Sequence, residues 1–333
     1  MSALLGLGRQ LTIGQAAATE WPAQQRVLGP LQPGDVGLLS GADGSGKSWV
    51  ALAAGVSVAR GKSLCGGVFE VPAGPGRKVL HVAVEDRYED HGRRLQALAR
   101  HVQAHEAVYV TDDDDGLTVL ALEGRRLPLV RSTARDAAQP YVVTEVGQAW
   151  VDAIRDYSLV ILDPLRACHD LEESDGAGMD YLVRWLVTVA MTNQQVIMLV
   201  HHASQGAILD RRDDHHAGRG ATDLPAGCRG VWTLRAPTPT EIDSENERRD
   251  WRVLVNGKAS HGPEAGKRFL RRGAGGVLYR AEPPKQEAKG KANSSHQTGG
   301  ANSYINARAK RGTGSASLVA ALQGVGSSGG SNG

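Results

Sequence analysis

Cysteine is scarce and scattered. Cys65, Cys168 and Cys228 lie far apart with no CxxC spacing, which argues against a disulfide framework or a structural zinc site. Long apolar runs are also missing. None approaches the ~20 residues that span a bilayer, and no signal-peptide pattern is evident, so the expectation is a cytoplasmic protein with no membrane partner. Charge of one sign is missing too, for the formal net charge is only +2. The basic excess falls in the last stretch, where Lys285, Lys289, Lys291, Arg308, Lys310 and Arg311 face one acid, Glu287. The rest is slightly acidic and lacks the bulk basic character of a dedicated duplex-DNA reader. No internal repeat is evident. What remains, 41% apolar and 22% charged over 333 residues, is the composition of an ordinary globular chain with a sizeable core.

One stretch organises the rest. Val36–Leu39 is a short apolar run of strand character, followed by Gly41, Ala42, Asp43, Gly44, Ser45, Gly46, Lys47 and Ser48, then by an Ala/Val/Leu-rich helical segment to Arg60. This is G-x-x-x-x-G-K-[ST] in a strand–loop–helix context. Glycines let successive N–H groups converge on phosphate oxygens, and the helix adds its positive end. The motif predicts a nucleoside triphosphate, ATP, with Lys47 reaching its β- and γ-phosphates and the Ser48 hydroxyl on Mg²⁺.

Along the chain, residues 1–26 read as an arm without strong periodicity, 27–282 as the main domain and 283–333 as a Gly/Ser/Asn/Lys-rich disordered tail with a short helix at 316–322. Lys78–Val84 and Leu159–Leu162 read as buried strands, as does Gln195–Val200. Helices are expected over Tyr88–Ala104, Thr144–Arg155 (through a Thr cap) and Gly178–Asn193. Val108–Val110 suggests an edge strand, and 111–143 is otherwise unassigned. Gly230–Leu234 and Arg252–Val255 read as strands joined by a charged turn, and a hairpin closes around Gly273–Gly276. Alternating strands and helices predict an α/β fold with a mostly parallel sheet, whose ligands sit at the carboxyl ends of the strands.

Chemistry-bearing residues fall at those ends. Asp163 follows the apolar run Leu159–Leu162, as expected of a Mg²⁺-associated carboxylate opposite Ser48. Glu85 ends a strand read as adjacent to the P-loop strand and is the candidate water activator, with Asp86 as its competitor. His201 and His202 end another strand. Neighbours on a strand point to opposite faces, so chelation of one metal by the pair is poor geometry, and a γ-phosphate-sensing role suits better. His215 and His216 read as solvated loop residues.

Gly41–Ser48, Glu85-Asp86, Leu162-Asp163 with Leu165-Arg166, and Leu199-Val200-His201-His202-Ala203-Ser204 with Gly206 resemble the RepA-type hexameric replicative helicases of plasmids, within the RecA-like ATPases. The resemblance extends to Arg219-Gly220, Arg229 before Trp232, and Lys258-Ala259, covering roughly residues 27–280. It implies a RecA-like core, a homo-oligomer of six subunits, movement on single-stranded DNA, and a primase or replication initiator as a further partner. It also implies Glu85 as catalytic base, His202 turned to the γ-phosphate, and Arg229 as an arginine finger aided by Lys258. The loops Arg166–Gly178 and Ser204–Gly227 would face DNA, with Arg211, Arg212 and Arg219 as phosphate contacts. The first loop is acidic and neither carries base-stacking aromatics. Two other readings stand beside this one: a RecA/KaiC-like ATPase of recombination or regulation that does not unwind, and a nucleotide-binding scaffold with little turnover.

Overall fold

Val36–Gly41 forms strand β1, buried on both faces at every position, as its unbroken apolar run requires of a central parallel strand. The computed structural model describes residues 11–111, 114–134, 139–202, 224–261 and 266–284. By internal contacts the chain divides into Met1–Gln286 and Glu287–Gly333; the second unit, with the tail helix expected at 316–322, lies outside the described residues.

In chain order the helices are α1 (Ile13–Ala18), α2 (Lys47–Ala59), α3 (Tyr88–Glu106), α4 (Glu145–Ala153), α5 (Gly176–Asn193), α6 (Leu224–Gly227) and α7 (Glu245–Arg249). The strands after β1 are β2 (Val79–Ala83), β3 (Leu117–Ala121), β4 (Val130–Ser132), β5 (Tyr141–Val143), β6 (Leu159–Asp163), β7 (Val196–His202), β8 (Gly230–Arg235), β9 (Trp251–Ala259), β10 (Lys267–Arg272) and β11 (Leu278–Arg280). Nine of them make one sheet in the order β11-β10-β9-β8-β1-β7-β6-β2-β3, while β4 and β5 pair separately. From β8 to β3 every pairing is parallel, and from β8 to β11 the sheet continues as an antiparallel meander. The fold is the α/β arrangement expected, a mostly parallel sheet flanked by helices.

Two cores cover its faces. On one, α2 and α3 lay Val50, Leu52, Val58, Leu98 and Val102 over Leu39, Ile161, Met198 and Trp232. Phe69 meets Trp232 edge-on, with ring centroids 5.2 Å apart, a geometry worth about 0.5–1.5 kcal/mol beyond the area buried. On the other face, Trp150 of α4 and Leu182 and Leu186 of α5 cover Leu38, Val82, Ile197 and Leu199. The three cysteines are free and buried within these cores, which pushes each thiol up to about 12. Thr144 caps α4 through the Gly147 N–H, and Asp175 caps α5 through Gly178 while accepting from the Tyr141 hydroxyl at 2.7 Å.

Several expectations need correction. The edge strand is Leu117–Ala121, not Val108–Val110: Ala107 enters the left-handed region at φ 51° and ends α3, with the Val108 N–H turned back to Val102 O. Strand β2 is not adjacent to β1, because β6 and β7 lie between them. The arm contains a helix, α1, closed by a Thr12–Gln15 capping box, and the charged turn before β9 contains α7.

Candidate nucleotide site

Strand β1 delivers Gly41 at the carboxyl edge of the sheet, between His202 of β7 and Leu234 of β8. A Cβ at Gly41 would stand 2.5 Å from Leu234 O, so only glycine permits the loop to leave the sheet here. Gly46 caps α2 at φ +102° without a side chain, leaving the first N–H groups of the helix pointed at the loop. Inside that loop the Ser45 hydroxyl is buried with no hydrogen-bond partner.

Lys47 is itself buried, and its Nζ donates to the carbonyls of Gly41 (2.9 Å) and Ala42 (2.8 Å). Burial lowers its pKa, while the negative charges of Asp43, Asp163 and Glu85 pull in the opposite direction. All three carboxylates thus act electrostatically on one ammonium. Glu85 is exposed just past the end of β2, whereas Asp86 is engaged in an ion pair with Arg94 of α3. Asp86 thus has a partner of its own on α3, and Glu85 lies toward solvent.

Asp163, 9% exposed at the end of β6, meets the Ser48 hydroxyl. Burial pushes its carboxyl up, but hydrogen bonds from His81 and Ser48 and the charge of Lys47 outweigh this and hold it below the usual carboxylate range. A hydroxyl beside an ionised carboxylate is the donor set that Mg²⁺ takes when phosphates supply its other ligands. The Ser48 hydroxyl and the Asp163 carboxylate therefore fit a magnesium carried in with a nucleotide. Ser48 and Asp163 would hold it.

His202 and His201 face opposite sides of the sheet, as strand geometry requires. His202 Nδ1 reaches Lys47 and hydrogen-bonds to Asp43; that bond and the charge of His202 hold the Asp43 carboxyl below its ordinary range. His201 is buried beside Leu38, Leu224 and Val231, and burial lowers its imidazole to about 4.

Arg229 and Lys258 lie elsewhere. The Arg229 N–H donates to Val36 O at the first residue of β1, and Lys258, opposite Val231, donates to the carbonyls of Pro225 and Ala226. Both therefore occupy the amino edge of the parallel strands, roughly 17 Å from Gly41 at about 3.3 Å per residue. They do not join the P-loop of their own chain. Arg211, Arg212, Arg219, His215 and His216 lie outside the described residues. In the acidic loop, Asp170 pairs with Arg126 at 2.8 Å, Glu173 with Arg166 at 3.8 Å, and Asp175 is the α5 cap.

Sequence reasoning missed two residues. His81 of β2 lies 3.2 Å from Asp163 Oδ2, and Arg252 of β9 donates through Nε to Ser45 O at 2.8 Å, bracing the loop from the meander. A polar residue inside an otherwise apolar strand was the available signal for His81. Nothing local marks Arg252.

Residues 7–207 match the family model AAA_25, described as AAA domain. Among solved structures, one described as an ATPase domain superposes with a TM-score of 0.52 at 13% identity, covering 76% of this chain and 86% of that one. A DnaB-like replicative helicase, determined with its interactions with primase, superposes with a TM-score of 0.50 at 12% identity. That match covers 74% of this chain but only 57% of the helicase. At these identities the likeness is one of fold, that of the RecA-like P-loop NTPases.

Proposed function

The chain belongs to the AAA domain family, and on that premise we propose that it is a ring-forming, magnesium-dependent ATPase that moves on single-stranded DNA and so unwinds duplex. The RecA-like ATPase core is the part of this reading that the family match and the fold support. The observation that carries hydrolysis is the convergence of Lys47, Ser48, Asp163, Glu85 and His202, from four elements, on one sheet edge, while the ring and the DNA rest on the likeness of sequence to RepA-type helicases.

The residues divide the work as follows. Bound triphosphate takes the N–H groups of Gly44–Ser48, and Lys47 exchanges two loop carbonyls for phosphate oxygens. Ser48 and Asp163 would hold a magnesium brought in with the nucleotide, which would supply positive charge to offset that developing on the phosphates. Glu85, free of the ion pair that occupies Asp86, orients and deprotonates the attacking water. His202 exchanges Asp43 for the γ-phosphate and so reports its presence to the segment that follows β7. Arg229, remote from its own P-loop and exposed, is suited to a neighbour's site, with Lys258 beside it. An arginine finger of this kind is worth roughly 10³–10⁵ in rate.

The likeness of sequence to RepA-type helicases and of fold to a DnaB-like helicase supports a hexamer, with single-stranded DNA near Arg166–Gly178 and the segment carrying Arg211, Arg212 and Arg219. Primase or a replication initiator would then be the outside partner. Asp170 and Glu173 of the first loop are paired within the chain, which lessens their repulsion of DNA. The lack of aromatic residues in both loops favours, as a second reading, a RecA-like ATPase that binds DNA without unwinding it. A forked substrate separates the two: unwinding that needs ATP and an overhang of one polarity is the expected result, and ATP turnover without strand separation would leave the second reading.

A further inference from the structure

Strand β2 is buried along its whole length, and His81 at its centre has no solvent exposure. An imidazole so placed carries a desolvation cost that only hydrogen bonds offset. One nitrogen is used: Nε2 lies 3.2 Å from Asp163 Oδ2, while Nδ1 has no partner. An ionised carboxylate only accepts, so the proton of this contact sits on His81 Nε2. β2 and β6 are parallel neighbours with Ala83 opposite Asp163, so His81 lies on the same face two residues back and reaches forward along it. The ring of His91 from α3 stands edge-on behind it, centroids 6.3 Å apart, and closes off the other side.

Asp163 is thus held from two directions, by Ser48 of α2 and by His81 from within the sheet. The two are not equivalent. Ser48 would give an oxygen lone pair to the cation while its proton stays on the carboxylate, whereas His81 serves the carboxylate alone, from the side away from the P-loop. We infer that His81 is a positioning residue that orients the Asp163 carboxylate for the magnesium of the nucleotide complex. The inference rests on the ATPase reading above. Partners of this kind, which orient a metal-associated carboxylate, are typically worth roughly 10–100-fold in metal affinity or activity.

The test compares wild type with His81→Leu, which keeps an apolar filling of the site, and His81→Gln, which restores an N–H donor. A fluorescent ATP analogue is titrated with and without Mg²⁺, beside thermal unfolding and steady-state kinetics. Mg²⁺-free affinity is expected to be the same in all three. His81→Leu should lose about tenfold or more in the Mg²⁺-dependent gain in affinity, with KM for Mg²⁺–ATP raised and kcat lowered, while His81→Gln recovers much of both. Unfolding of His81→Leu within a few degrees of wild type separates this from a packing defect. A wild-type Mg²⁺ response in His81→Leu would overturn the inference. So would equal loss in both variants accompanied by equal loss of stability. A wild type that binds no nucleotide would instead sink the ATPase reading, and this inference with it.

Discussion

His202 Nδ1 lies 3.4 Å from Lys47 Nζ and hydrogen-bonds at the same time to Asp43. Lys47, Asp43 and His202 thus meet at the carboxyl edge of the sheet, where β7 reaches the P-loop. Lys47 is satisfied by Gly41 and Ala42 carbonyls, and Asp43 by His202. On the proposed function, phosphate binding is an exchange of partners rather than the capture of an idle cation.

That exchange sets two opposite mutational effects. Lys47→Ala should raise the Kd for ATP by about tenfold or more, because hydrogen bonds to charged groups contribute about 1.5–3 kcal/mol. Asp43→Asn removes a negative charge that competes with phosphate for both Lys47 and His202, and should tighten ATP binding several-fold. Calorimetric titration of the two variants checks both directions, and weaker binding in Asp43→Asn would show that Asp43 serves the nucleotide rather than competing with it.

Gly41→Ala should destabilise the fold by about 1–3 kcal/mol, since its Cβ would meet the Leu234 carbonyl, a backbone atom with nowhere to go. Urea unfolding of the nucleotide-free variant measures this. Unchanged stability would mean that β1 and β8 part more easily than their register implies.

Two buried histidines set the acid limit. Burial lowers His169 and His201 to about 4, with Arg166 and Arg126 adding at His169, and His202 and Lys47 at His201. A base whose folded pKa lies below its unfolded value of about 6.5 takes its proton first in the unfolded chain. Stability is then full above about pH 6.5 and is lost as the pH falls towards 4, by about 3 kcal/mol for each histidine. Asp163, also held below its ordinary range, acts with the same sign at lower pH. Unfolding free energy followed from pH 7 to 4 should fall steeply in wild type and less steeply in His201→Leu; identical slopes would remove His201 from the account.

What was legible in the sequence is what neighbours in the chain decide. The P-loop is such a case, since Val36 to Arg60 carries the strand, the turn glycines and the helix in one run. Asp163 and His202 follow the same logic, each closing its own apolar strand. Sheet order is decided instead by which crossover passes which, and this is why β2 could be read as the neighbour of β1 when β6 and β7 intervene. β3 was hidden because an edge strand is only half covered: Leu117, Val119 and Ala121 turn inward while Thr118 and Leu120 face solvent, and the strand follows an acidic run. β4 and β5 have three residues each, too few for any period. Arg252 and Ser45 are joined across 207 positions of sequence, and no local pattern encodes that bond.

The central claim is that nucleotide turnover depends on DNA and on a residue given by one subunit to the next. Steady-state ATP hydrolysis with and without single-stranded DNA, in wild type beside Arg229→Ala, tests it most directly. DNA stimulation is expected in wild type, and its loss, by about 10³-fold, in Arg229→Ala with ATP binding intact. Turnover indifferent both to DNA and to Arg229 would contradict it.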